Sequence, residues 1–156
     1  MTVNLVAMDE STFAEYYRQS LKEYAYEHVK AGNWKEDEAV QNAQAEFEQL
    51  LPDGLKTKGH VLLSVMHGRE TIGILWLNIR IRNQEKQAFI YDVKLDEEQR
   101  GKGLGTRTME ALDEYAKSVG VKQIRLHVFG HNHRAKSLYE KTGYEVTDYH
   151  MQKRLL

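Results

Sequence analysis

Apolar residues in this chain recur with two periods, and the switches between them mark out the secondary structure. Val3-Asn4-Leu5-Val6 starts an N-terminal strand. From Asp9 to Ala31 the spacing lengthens: Phe13, Tyr16 or Tyr17, Leu21, Tyr24 and His28 lie at roughly helical intervals. Asn33-Trp34-Lys35-Glu36 has the form of a capping box and predicts a second helix carrying Val40, Phe47 and Leu51. Leu50-Leu51-Pro52-Asp53-Gly54, with the chain's only proline, stops it. Val61 to Met66 and Thr71 to Ile81 read as strands joined by a turn at His67-Gly68-Arg69-Glu70, and Asn83 to Lys86 turns the chain into a strand from Gln87 to Leu95.

The period changes again at Leu104, Thr108, Leu112, Tyr115 and Val119, which mark one buried helical face. Gln123 to Phe129 follows as a strand with Ile124, Leu126 and Val128 on one side. A short helix from about Asn132 to Lys141 ends at Gly143, and Tyr144 to Arg154 fits one or two final strands. The order is βααβββαβαβ(β). A right-handed crossover through the third helix would make the strands before and after it parallel, within a mixed sheet.

Composition narrows the class. A chain of 156 residues with 41% hydrophobic and 29% charged positions is expected to form one domain, residues 1–156, with a proper core. A formal net charge of −1 gives no global electrostatic case for nucleic acid or an anionic membrane. No apolar run approaches the roughly 20 residues of a membrane span, and no signal-peptide core stands at the start, so a cytoplasmic location is expected. Without cysteine there is no disulfide framework, cysteine nucleophile or zinc-thiolate site.

The candidate chemistry centres on Gln99-Arg100-Gly101-Lys102-Gly103-Leu104-Gly105-Thr106. Glycines between a strand and a helix permit turns closed to other residues, and free amides at the helix start, backed by its positive dipole end, make an anion site. Arg100 and Lys102 add positive charge, so a phosphate, above all a pyrophosphate, is the natural ligand. The spacing fits neither a dinucleotide fingerprint, whose third glycine would fall one place later, nor a Walker loop, which needs a lysine before the threonine.

Arg100-x-x-Gly103-x-Gly105 resembles the pyrophosphate loop of the GCN5-related N-acetyltransferases, the GNAT superfamily, whose members bind acetyl-CoA. The likeness continues through Val128 to Tyr144: a strand, then Asn132-x-x-Ala135-x-x-Leu138-Tyr139, then Gly143-Tyr144. It implies an α/β fold with a mixed, mostly antiparallel central sheet and helices on both faces. It also implies a transfer of acetyl from acetyl-CoA to a primary amine by direct attack in a ternary complex. Val93 and Leu95 would lend backbone groups to the pantetheine arm. The amides of Arg100, Gly101, Lys102, Gly103, Leu104, Gly105 and Thr106 would hold the pyrophosphate. Where members often have a proline two places after Leu95, this chain has Glu97.

Acyl transfer needs a neutral amine, a donor for the oxyanion and a proton for the departing thiolate. Tyr139 matches the tyrosine of the family's Leu-Tyr pair, and a phenol with a pKa of about 10 is ready to donate at neutral pH. It is the expected general acid and cofactor neighbour. Asn132, roughly two turns earlier, is expected to cap the same helix and reach the cofactor. The base stays open. Asp92 is the first choice; strand alternation places it with Ile90 and Lys94, opposite Tyr91, Val93 and Leu95, and an ion pair with Lys94 would instead make it structural. His127 is a second candidate, and a water chain a third. In some relatives a glutamate earlier on this strand is the base, but Phe89 and its neighbours occupy that region here.

His127, His131 and His133 fit no standard ligand spacing, so no metal site is expected. The acceptor, a small molecule, peptide or protein amine, should be recognised by the two N-terminal helices. There Glu15, Glu23, Glu27, Glu36, Asp37, Glu38, Glu46 and Glu48 interleave with Tyr16, Tyr17, Tyr24, Tyr26 and Trp34. Exposed strand edges near the C-terminus are compatible with a homodimer. A non-catalytic CoA-binding sensor or interaction module is the alternative to an enzyme.

Overall fold

In the computed structural model, which describes residues 2–156, five strands and four α-helices follow in the order βααβββαβα. The strands are β1 (Val3–Ala7), β2 (His60–His67), β3 (Glu70–Arg82), β4 (Glu85–Leu95) and β5 (Gln123–Leu126), and the helices are α1 (Glu10–Lys30), α2 (Ala39–Leu50), α3 (Leu104–Ser118) and α4 (His133–Lys141). The sheet runs β1-β2-β3-β4-β5, antiparallel up to β4, with β5 parallel to β4. The α3 crossover is thus the parallel connection that the sequence predicts.

Alternation along the strands sends side chains to two cores. Leu63, Val65, Leu75, Leu77 and Ile90 meet Leu104, Met109 and Leu112 of α3 on one face, where Leu138 and Tyr139 of α4 also pack. Leu62, Ile74 and Trp76 meet Tyr16 of α1 and Phe47 of α2 on the other. Asp9 caps α1, its carboxylate accepting from the Thr12 amide at 2.7 Å. Asn83 and Gln84, at φ 52° and 65°, form the two-residue turn between β3 and β4, the left-handed geometry that matches strand twist.

Four expectations need correction. Asn33-Trp34-Lys35-Glu36 does not start a helix: α2 begins at Ala39 after Glu38, with no side-chain cap, and the Asn33 amide bonds His28 Nδ1 at 2.9 Å. On α2 the helical face buries Ala39, Ala43 and Phe47, while Val40 is exposed. The fifth strand stops at Leu126 rather than Phe129. Residues 144–154 run without strand pairing, so among the described residues no strand follows β5.

Gly73 marks a register shift between Val65 and Met66 on β2. A Cβ there would lie 2.2 Å from the Lys94 carbonyl oxygen, so the close approach of β3 to the end of β4 requires glycine. Gly73→Ala is expected to lower the unfolding free energy by about 3 kcal/mol, read from the urea midpoint at unchanged slope.

Candidate active site

The end of β4 is where the sheet opens. Its ladder with β5 stops at Ile90↔Leu126, whereas its ladder with β3 continues to Leu95↔Gly73. Asp92 to Leu95 therefore keep a partner on one edge and face no β5 strand on the other. The Val93 and Leu95 side chains pack toward the α3 core.

β4 leads into the glycine loop through a short 3-10 turn, Glu97–Gln99. The Asp96 amide donates to the Ile72 carbonyl at 2.8 Å, and the Gln99 side-chain amide donates to Glu70 at 3.1 Å, fastening the loop's base. Gly101 and Gly103 sit at φ 80° and 77°, with nothing within 4 Å of a Cβ built on either. Both glycines are needed for backbone conformation, and the space beside them is open. Gly103 is the N-cap of α3 and offers no side-chain acceptor, leaving the Leu104, Gly105 and Thr106 amides as the helix's first donors. Gly105 has another task. A Cβ there would lie 3.3 Å from Leu138 Cδ2, so its small size lets α4 press against the first turn of α3. Tyr139, the next residue, is thereby held near the loop.

Asp92 lies on the other side of the opening, and the predicted alternation fails there. A bulge between Trp76 and Leu77 sets Asp92 opposite Trp76 and Ile90 opposite Leu77. Ile90 thus packs with the α3 core, while Tyr91 stacks on Trp76, ring centroids 4.8 Å apart, on the α1–α2 face that Asp92 shares. The extra residue reverses the pleat and turns Asp92 toward α1.

There Tyr16 donates its hydroxyl to Asp92 Oδ2 at 2.6 Å. Lys94 pairs with Glu23 and not with Asp92. Burial pushes the Asp92 carboxyl above its ordinary range, while the Tyr16 hydrogen bond and the Lys94 charge pull it back. The Tyr16 phenol is driven well up by burial and by the Asp92 charge. Tyr139 is raised to about 12, by burial first and then by Asp92, so the two expected proton carriers sense each other across the opening. Asn132 is the N-cap of α4, its side-chain oxygen accepting from the Ala135 amide at 3.3 Å.

Tyr16, Glu23 and Glu27 form a stripe on one face of α1 that reaches Asp92, Lys94 and His131 in turn. Apolar spacing alone leaves the buried position to Tyr16 or Tyr17 and does not predict the Tyr16–Asp92 bond. The helical spacing of Tyr16, Ser20, Glu23 and Glu27 was the signal. His127 and His131 pack edge-on and parallel against Phe129, and among the described residues no group of three or more metal-type ligands converges. Among these residues, too, no helix is long and apolar enough to cross a membrane.

Residues 14–144 match the acetyltransferase (GNAT) family. The chain is 40% identical over 156 residues to the uncharacterised N-acetyltransferase YycN of Bacillus subtilis, covering 99% of this chain and 100% of that protein. The crystal structure of YycN superposes with a TM-score of 0.96 over 99% of both chains. YdgE, a second uncharacterised N-acetyltransferase of Bacillus subtilis, is 35% identical over 156 residues, 99% of each chain. A protein of Clostridium acetobutylicum described as a predicted acetyltransferase, crystallised with acetyl-CoA, shares the fold at 16% identity, with a TM-score of 0.62 over 99% of this chain and 97% of that one.

The Tyr16–Asp92 bond has a pH-dependent worth. Because its folded-state carboxyl is raised, Asp92 costs stability as pH climbs from its ordinary value of 3.8 toward the raised one. Tyr16 offsets that cost by bonding the charged form. Tyr16→Phe is therefore expected to lose about 1–3 kcal/mol at pH 7 and distinctly less near pH 4, measured by urea unfolding at the two pH values.

Proposed function

This chain belongs to the acetyltransferase (GNAT) family, and on that footing we propose that it moves acetyl from acetyl-CoA to a primary amine by direct attack in a ternary complex. The observation that carries the reading is the opening of β4 from β5 beside a helix start with no side-chain cap. An extended pantetheine arm takes the place of a strand along the free edge at Val93 and Leu95, and its diphosphate meets the amides from Arg100 to Thr106. Arg100 and Lys102 add screening charge. The thioester then lies at the opening, between Asp92 from one face of the sheet and Tyr139 from the other. Asn132, at the N-cap of Tyr139's helix, borders the same arm.

Each proton has a place to go. The amine arrives as an ammonium and gives one proton to Asp92, directly or through water; the raised carboxyl brings that base closer to neutrality. The amine nitrogen bonds to the thioester carbon, and the carbon–sulfur bond breaks. Tyr139 gives its proton to the departing sulfur and regains one from the proton shed by the new amide nitrogen. Burial keeps the Tyr139 phenol protonated until that moment. The products are the N-acetylated acceptor and free CoA.

Tyr139→Phe is expected to lower kcat at least 100-fold while leaving CoA affinity within about twofold, in a thiol-release assay paired with calorimetry. Unchanged turnover would remove Tyr139 from the acid role. Gly103→Asp should weaken CoA binding by 10-fold or more, since it places a carboxylate where the diphosphate lies and forces a left-handed backbone on a residue with a Cβ. Thermal stabilisation of the wild type by CoA but not by ATP or NAD checks the same loop.

A further inference from the structure

The arginines of the sheet are gathered on one of its faces. Arg80 of β3 stands opposite Gln87 of β4, and on the next rung of that face Phe89 of β4 stands opposite Arg125 of β5. Their strand neighbours Ile79, Ala88 and Ile124 pack with Ala116 of α3 and with Val121. Alternation therefore turns Arg80, Gln87, Phe89 and Arg125 to the α1–α2 face. There the Phe89 ring meets Tyr91, centroids 5.0 Å apart, and Tyr91 stacks on Trp76. Arg80, Arg82, Gln87, Phe89 and Arg125 line a small hollow, and no residue of α1 or α2 joins its wall.

This hollow is cationic and has no counter-charge. Among the described residues no carboxylate pairs with Arg80, Arg82 or Arg125. Arg80 lies over the Phe89 ring at 5.6 Å, and its charge joins burial in lowering the His60 imidazole. Arg82 stands opposite Glu85 on the outer rung, which leaves Arg80 and Arg125 as the inner pair. Gln87 is only 5% exposed, and its side-chain oxygen is buried without a hydrogen-bond partner. A buried polar group of this kind is ordinarily satisfied, so an unpartnered one in a cationic hollow points to a ligand. Its carboxamide offers an N–H to an anion and an acceptor to any N–H or O–H beside it. Two guanidinium forks match the paired oxygens of a carboxylate or phosphate.

The hollow ends where the proposed site begins. Phe89↔Arg125 is followed by one more rung, Ile90↔Leu126, before β5 releases β4. Asp92 lies three residues beyond Phe89, with Tyr91 bulged out between them. At about 3.3 Å per residue the Phe89 rung and Asp92 are roughly 10 Å apart. We propose that Arg80, Gln87 and Arg125 hold an anionic oxygen group of the acceptor, a carboxylate or phosphate roughly 10 Å from its reacting amine. The amine's identity rests on the proposed acetyl transfer; the anion rests on the sheet alone.

Side-chain N–H resonances of Arg80, Arg125 and Gln87 in 15N-labelled protein read the hollow without any transfer of acetyl. Titration with ω-aminooctanoate should shift them to saturation, while equal concentrations of ω-aminooctanamide or octanediamine leave them in place. In a thiol-release assay with acetyl-CoA, the wild type should prefer ω-aminooctanoate to its amide at least tenfold in kcat/KM. Arg80→Gln and Arg125→Gln should each raise KM for ω-aminooctanoate and bring that ratio to within about twofold of one. Arg69→Gln, at an exposed arginine in the β2–β3 turn, should keep the wild-type ratio. Aminohexyl phosphate, of similar span, separates the two sources: the tighter binder of the two anionic amines names the anion. If no amine releases thiol, the proposed reaction falls and the resonances still judge the hollow, whose anion site stands if the anionic amines alone shift them. Resonances unmoved by both anionic amines overturn the inference. So does a neutral amide accepted as well as both of them, or a preference that both arginine variants keep.

Discussion

The structure depends on one broken ladder. β4 is held by β3 from Glu85 to Leu95, with Tyr91 bulged out, but released by β5 after Ile90, and the proposed site residues gather where the release occurs. A strand edge left without a neighbour in mid-sheet exposes backbone donors and acceptors that must find partners. Here the bulge at Trp76/Leu77 and the glycine at 73 keep β3 gripping β4 while β4 turns away from β5. The opening is thus built into the sheet.

Two consequences follow from the same break. The helices on the two faces, otherwise separated by the sheet, come within electrostatic reach of each other through it. Burial raises the Tyr139 phenol on the α3–α4 side, and the Asp92 charge from the α1–α2 side adds to it. The glycine loop also divides its labour. Gly101 and Gly103 supply left-handed turns beside open space, while Gly105 is the slot into which Leu138 fits. That contact couples α4 to the first turn of α3, and so couples the position of Tyr139 to the loop proposed to grip the diphosphate.

Much of this was legible in the residues. The order of strands and helices up to α4, the hairpins and the parallel crossover followed from hydrophobic period and turn residues, since each depends on local pattern. Asn132 as an N-cap was equally local. What the sequence could not show was long-range. The bulge that turns Asp92 toward α1 depends on how β3 and β4 align, and the alternation of Ile90, Asp92 and Lys94 gives no hint of it. Tyr16 finds Asp92 across 76 residues of chain, and Lys94 prefers Glu23 for the same reason. The Asn33–Glu36 pattern misled because the chain spends those residues on the turn between α1 and α2, where Asn33 serves His28 instead of a helix start. Residues 144–154 have strand-like alternation but, among the described residues, pair with no strand.

In the proposed complex the loop amides and the free edge of β4 receive one ligand together. Titrating CoA into uniformly 15N-labelled protein tests this amide by amide. The backbone resonances of Gly101 to Thr106 and of Val93 and Leu95 are expected to shift in step, with a single binding constant. Saturation of the protein with those resonances unmoved, or shifts confined to some other part of the surface, would contradict it.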